Sequence, residues 1–155
     1  PTILETFLSP RENANIEINA VPDDADKLRA LFPYVWNSKD VMNAFVGYGL
    51  NQRKKFLEKK DGRPNKFAAA YARSLYNGLE LLRTGTFTVR IADTEIGPTI
   101  RRFKTGDYRI GEVIDVCTDL EYKVRDAYEL NPNKETDFEK VNAFLLEMRK
   151  KYWTL

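Results

Sequence analysis

The chain has 155 residues, with 25 Lys+Arg against 23 Asp+Glu, one Cys and no His. That inventory excludes Ser-His and Cys-His nucleophile pairs, imidazole metal ligands, internal disulfides and cysteine-built zinc sites. The 43% hydrophobic and 31% charged content is that of a folded globular protein with a real core.

No basic region followed by a long apolar run opens the chain, and no stretch approaches 18 apolar residues. Neither a signal peptide nor a membrane span is therefore expected. Pro1 reads as the residue left after removal of an initiator methionine, and the lone Cys117 fits a reducing compartment, cytoplasmic or within a virion. Residues 1–14 mix Ile3, Leu4, Phe7 and Leu8 with turn formers such as Pro10 and Asn13, the pattern of an extended arm ahead of one globular domain over residues 15–155.

Residues 16–20 alternate apolar and polar, as a half-buried strand does. Pro22, Asp23 and Asp24 then open a helix carrying Leu28, Leu31 and Phe32 up to Pro33. Ser38 caps a second helix with Val41, Phe45 and Phe56 on one stripe. Gly47 and Gly49 within it suggest a close helix contact, Lys59 and Lys60 favour its negative end, and Gly62 stops it. A third helix opens at Pro64, runs through Phe67, Tyr71, Leu75, Leu79 and Leu82, and ends at Gly85.

Residues 87–91 and 108–116 again alternate with period two and read as strands, with turns at Gly97-Pro98 and Thr105-Gly106-Asp107. A helix over residues 119–130 follows, broken by Asn131-Pro132-Asn133. Thr136 and Glu139 form a capping box for a last helix bearing Val141, Phe144, Leu145 and Met148. These elements predict an α+β fold: about five helices packed around a small, mostly antiparallel sheet.

The near-neutral total hides segregated charge. Residues 53–104 carry 13 Lys/Arg and 5 Asp/Glu, whereas residues 105–139 carry 4 and 10. Arg53, Lys54, Lys55, Lys59, Lys60, Arg63 and Lys66 crowd one helix–turn–helix connection, and Arg101 and Arg102, with Lys104, form a second group. Several cations beside a helix start suit phosphates or an acidic partner.

Asp107, Asp115 and Glu121-Tyr122-Lys123 resemble the D…(D/E)-x-K signature of the PD-(D/E)xK nucleases, a resemblance that implies carboxylates holding Mg²⁺ and a lysine supporting the attacking water. The order Gly85–Arg90, Thr105-Gly106-Asp107 and 112–116 is similar to the element order of ASCH-type PUA-like barrels, small RNA-associated domains. The lysine and glutamate of their G-x-K-x-x-E-x-R core are absent here.

With no catalytic set in the inventory, the leading expectation is a non-enzymatic assembly subunit of the kind found in small viral or phage particles. It would use no cofactor and no metal. Ile3, Leu4, Phe7, Leu8, Tyr152 and Trp153 would contact neighbouring subunits in a homo-oligomer or mixed assembly, and opposed charged faces would set the register. The alternatives are a DNA- or RNA-binding regulatory protein using the basic residues, and a metal-dependent nuclease.

Overall fold

The computed structural model describes residues 22–153. All of its regular structure is helical. Six helices occur among the described residues: α1 (Pro22–Val35), α2 (Ser38–Leu57), α3 (Pro64–Thr84), α4 (Gly97–Thr105), α5 (Ile110–Leu130) and α6 (Phe138–Tyr152). No described residue is in a strand, so the expected antiparallel sheet and the barrel resemblance are both overturned.

Most of the predicted strand over 108–116 is instead the start of α5, which begins at Ile110 and buries Val113, Cys117, Leu120, Val124 and Ala127 at spacings of four and three. Residues 87–91 are irregular and lead into a short 3₁₀ turn, Ile91–Asp93. Gly97-Pro98 is the N-terminus of α4 rather than a link between strands. The predicted strand over 16–20 and the predicted arm over 1–14, with Ile3, Leu4, Phe7 and Leu8, lie outside the described residues.

The chain divides into two compact units, residues 38–134 and the two flanking segments, 22–37 with 135–153. The larger unit is built on α3, which packs against α2, α4 and α5. Its two ends carry the predicted punctuation: Pro64 in the first turn and Gly85 in the left-handed conformation as C-cap. Two apolar rows run along it. Ala68, Ala72, Leu75, Leu79 and Leu82 repeat at spacings of four and three, and Phe67, Tyr71, Ser74, Gly78 and Leu81 form a parallel row one residue earlier. Both match the coiled-coil-like period that lets one helix face two neighbours.

α2 and α3 form an antiparallel hairpin. Phe45 lies over Gly78, Gly49 faces Leu75 and Tyr71, and Lys55 stands 5.9 Å from the Phe67 ring centre. A Cβ on Gly78 would stand 2.7 Å from the Phe45 Cβ, so the close approach requires glycine there. The Ser74 hydroxyl donates to the Phe45 carbonyl at 2.9 Å.

α3 and α5 run parallel. The Tyr108 hydroxyl, just before α5, donates to Asn65 Oδ1 at the start of α3, and Asn131 at the end of α5 donates to Leu82 near the end of α3. The intervening chain therefore travels back along α3. Glu80 anchors the return by accepting from the Thr88 N–H at 2.8 Å and from its hydroxyl. α4 completes the return, with Phe103 buried edge-on to Tyr108. Gly106 caps α4 in the left-handed conformation.

In the smaller unit, α1 and α6 pack antiparallel. Asp24 is buried, accepts from Lys151 Nζ at 2.8 and 2.9 Å and also accepts from the Tyr152 hydroxyl. Lys27 pairs with Glu147, and Lys140 Nζ sits 3.6 Å from the Tyr34 ring centre. α1 continues through Pro33 to Val35, two residues past the predicted stop. The N-cap of α6 is Asp137, whose carboxylate accepts from the Lys140 N–H at 3.0 Å; Thr136 bonds the Val35 carbonyl at 3.1 Å instead. Among the described residues, no helix is long and apolar enough to cross a membrane.

Candidate phosphate-binding groove

The turn before α3 is tight. Lys59 (φ 47°), Asp61 (φ 57°) and Gly62 (φ 64°) all adopt left-handed backbone conformations, which reverse the chain in six residues and aim Arg63 and Pro64 along the new helix. Opposite them, α4 lies against the first turns of α3. Its N-terminus closes on the 3₁₀ turn at Gly97, where a Cβ would stand 2.7 Å from the Ala92 and Ile91 carbonyl oxygens.

Between α3 and the returning chain lies a groove of about 780 Å³. Arg63, Lys66, Arg73, Arg101 and Lys104 line it together with the N-terminal turn of α3, and among the described residues no carboxylate does. Among the described residues, neither Lys66, Arg101 nor Lys104 takes part in an ion pair; Arg63 stands 3.8 Å from Asp61. The five side chains are exposed. Five cations with helix N–H groups and no internal anion is an arrangement that holds phosphates.

Of the predicted contact residues, Arg63, Lys66 and Arg101 meet in this groove, and the others do not line it. Lys54 lies 4.0 Å from Glu58, Lys55 covers Phe67, and Arg53 is half-buried on α2 with its Nε lacking a partner. Lys59 and Lys60 belong to the turn. Arg102 is committed elsewhere: it bonds Glu112 at 2.7 Å and approaches Asp107 at 3.5 Å, and that pairing raises its already high pKa.

Arg73 escaped the sequence reading because seven residues separate it from Lys66. On a helix, Lys66, Ala70 and Arg73 share a face, and that period is the signal that could have found it.

The residues of the nuclease-like pattern stand apart. Glu121 pairs with Arg125 at 2.8 Å and Lys123 with Asp119 at 2.6 Å, both along the surface of α5. Among the described residues, no three Asp, Glu or Cys side chains gather as a metal site. Tyr152 and Trp153 both engage their own unit, through Asp24 and through Arg149 at 5.3 Å from the Trp153 ring centre. Cys117 is fully buried, and burial pushes its thiol up to about 12.

No protein-family model, no curated protein and no solved structure matches this chain.

Proposed function

We propose that this protein binds nucleic acid through its phosphate backbone, in the groove between α3 and α4. The observation that carries the reading is the lining itself: five cations, no carboxylate among the described residues, and a helix N-terminus between them. The arrangement has no base-reading geometry of its own and favours affinity over sequence discrimination.

Fluorescence anisotropy with labelled oligonucleotides over a range of salt concentrations tests it. If all five cations engage, log K for a single strand falls against log salt with a slope of roughly −3.5. The triple variant Lys66→Ala, Arg101→Ala, Lys104→Ala brings the slope to roughly −1.5. Absence of binding at low salt overturns the proposal.

One observation favours self-assembly as a second reading. α6 buries none of its 15 residues and leaves Phe138, Leu145 and Leu146 exposed, as is Trp153 just beyond it. Native mass measured at micromolar concentration decides: a second copy seated on α6 gives a multimer that Leu145→Glu dissolves, and a monomer at low salt removes the reading.

A further inference from the structure

A second hollow opens beside the groove, on the α2–α3 hairpin. Its volume is about 390 Å³, and it is lined by Ala44, Phe45 and Tyr48 of α2 and by Ala70, Arg73 and Asn77 of α3. Ala70 and Arg73 line the groove as well, so the two cavities adjoin at one guanidinium.

The chemistry of the two cavities differs. The groove is cationic, whereas most of the hollow's exposed lining is apolar, with the Phe45 and Tyr48 rings contributed by α2 and Arg73, Ser74 and Asn77 by α3. Tyr48 is 55% exposed, a large ring on a helix surface. Asn77 lines the hollow while only 6% exposed.

From this juxtaposition we propose that the hollow is a nucleobase subsite, and that the nucleic acid held in the groove is single-stranded. The inference rests on the groove reading above. A base has a flat π-face for the Tyr48 and Phe45 rings. Arg73 lies between the base and the phosphates of the same strand. Bases inside a duplex are stacked and paired, and cannot enter such a hollow without being extruded.

The test uses the full chain and three labelled probes of about 12 units, a length within the span of single-strand sites: a single-stranded oligonucleotide, an abasic phosphodiester of equal length, and a duplex. The single strand is expected to bind roughly tenfold more tightly than the abasic strand, one stacked base's worth of affinity. Tyr48→Ala removes that gap and leaves abasic binding unchanged. Ala44→Phe, at an exposed position facing the hollow, fills it and does the same without loss of an aromatic ring.

Equal binding of the single strand and the abasic strand overturns the subsite while the groove reading stands. So does a gap that survives both substitutions. No binding of any probe at low salt overturns the groove reading and the subsite together.

Discussion

Asn131, at the end of α5, donates its carboxamide N–H to the Leu82 carbonyl oxygen of α3 at 2.7 Å, while its own Oδ1 accepts from the Asn133 N–H at 2.8 Å. One buried side chain thus ties the C-terminal ends of two parallel helices and turns the chain away from them. Asn131→Ala leaves both backbone groups without these partners and is expected to cost about 1–3 kcal/mol in urea unfolding. A loss below about 0.5 kcal/mol, the scale of ordinary surface substitutions, would show that water replaces the bond at no cost.

Two glycines in helix interiors should respond in opposite directions. Gly47 has nothing within 4 Å of where a Cβ would stand, so Gly47→Ala is expected to stabilise by about 0.5–1 kcal/mol. Gly78→Ala drives its Cβ to within 2.7 Å of the Phe45 Cβ, and the strain of about 1–3 kcal/mol outweighs the same helical gain. Denaturant midpoints of the two variants, measured side by side, check the sign of each.

The contact between Asp24 and Lys151 makes the α1–α6 pairing sensitive to acid. Hydrogen bonds from Lys151 and Tyr152 hold the Asp24 carboxyl below its ordinary value of 3.8. Its contribution is therefore complete above that value and disappears as pH falls through the lowered pKa. The bond to Asp24 raises both the Lys151 ammonium and the Tyr152 phenol, so their contributions are complete below about 10 and are lost as pH rises through the raised values. Protection factors along α6, which remove the intrinsic pH dependence of amide exchange, should fall at both extremes and stay flat between. Asp24→Asn should erase the acid arm.

Cys117 should be chemically silent in the folded protein. With its pKa pushed to about 12, roughly one thiol in ten thousand is ionised at pH 8, and the side chain has no exposed surface. Labelling by a disulfide reagent is then expected to follow the opening of the α3–α5 contact and to accelerate with urea. A rate like that of a free thiol in buffer would contradict the buried placement.

Adjacent arginines should behave differently. Arg101 lines the groove without an ion pair, whereas Arg102 is held by Glu112 and Asp107. Arg101→Ala is expected to flatten the salt dependence of oligonucleotide binding by about 0.7. Arg102→Ala should leave the slope unchanged and slightly loosen the junction of α4 and α5, which thermal unfolding would register.

What the sequence could reveal depended on punctuation and period. Helix α3 was legible to its ends because Pro64 and Gly85 each have a conformational reason to stand there. Residues 108–116 misled because Ile110, Val113, Ile114 and Val116 are β-branched and their neighbours alternate. The same letters also place Val113 and Cys117 four apart, and the long apolar row of α3 selects that helical period. Residues 87–91 alternate too, but Glu80 holds Thr88 in an irregular path.

For the groove, clustering in sequence singled out Arg63, Lys66 and Arg101, which the fold brings to one lining. It could not separate Arg101 from Arg102, because about 100° of helical rotation divides them, and a strand reading hides that rotation. Nor could it see Arg73, which only the helical face unites with the rest.

The parallel run of α3 and α5 also decides how this chain can change length. A 21-residue helix is about 31 Å long, and the connection must span most of that distance before α5 can begin. The 12 residues from 85 to 96 reach at most about 40 Å when fully stretched, and α4 adds only about 13 Å more. Together they exceed the span by roughly 20 Å, so the stretch holds slack and its path is set by contacts, Thr88 against Glu80 and Gly97 against the 3₁₀ turn, not by tautness. Evolution and engineering alike should find residues 85–96 tolerant of changes in length in both directions so long as those two contacts are kept.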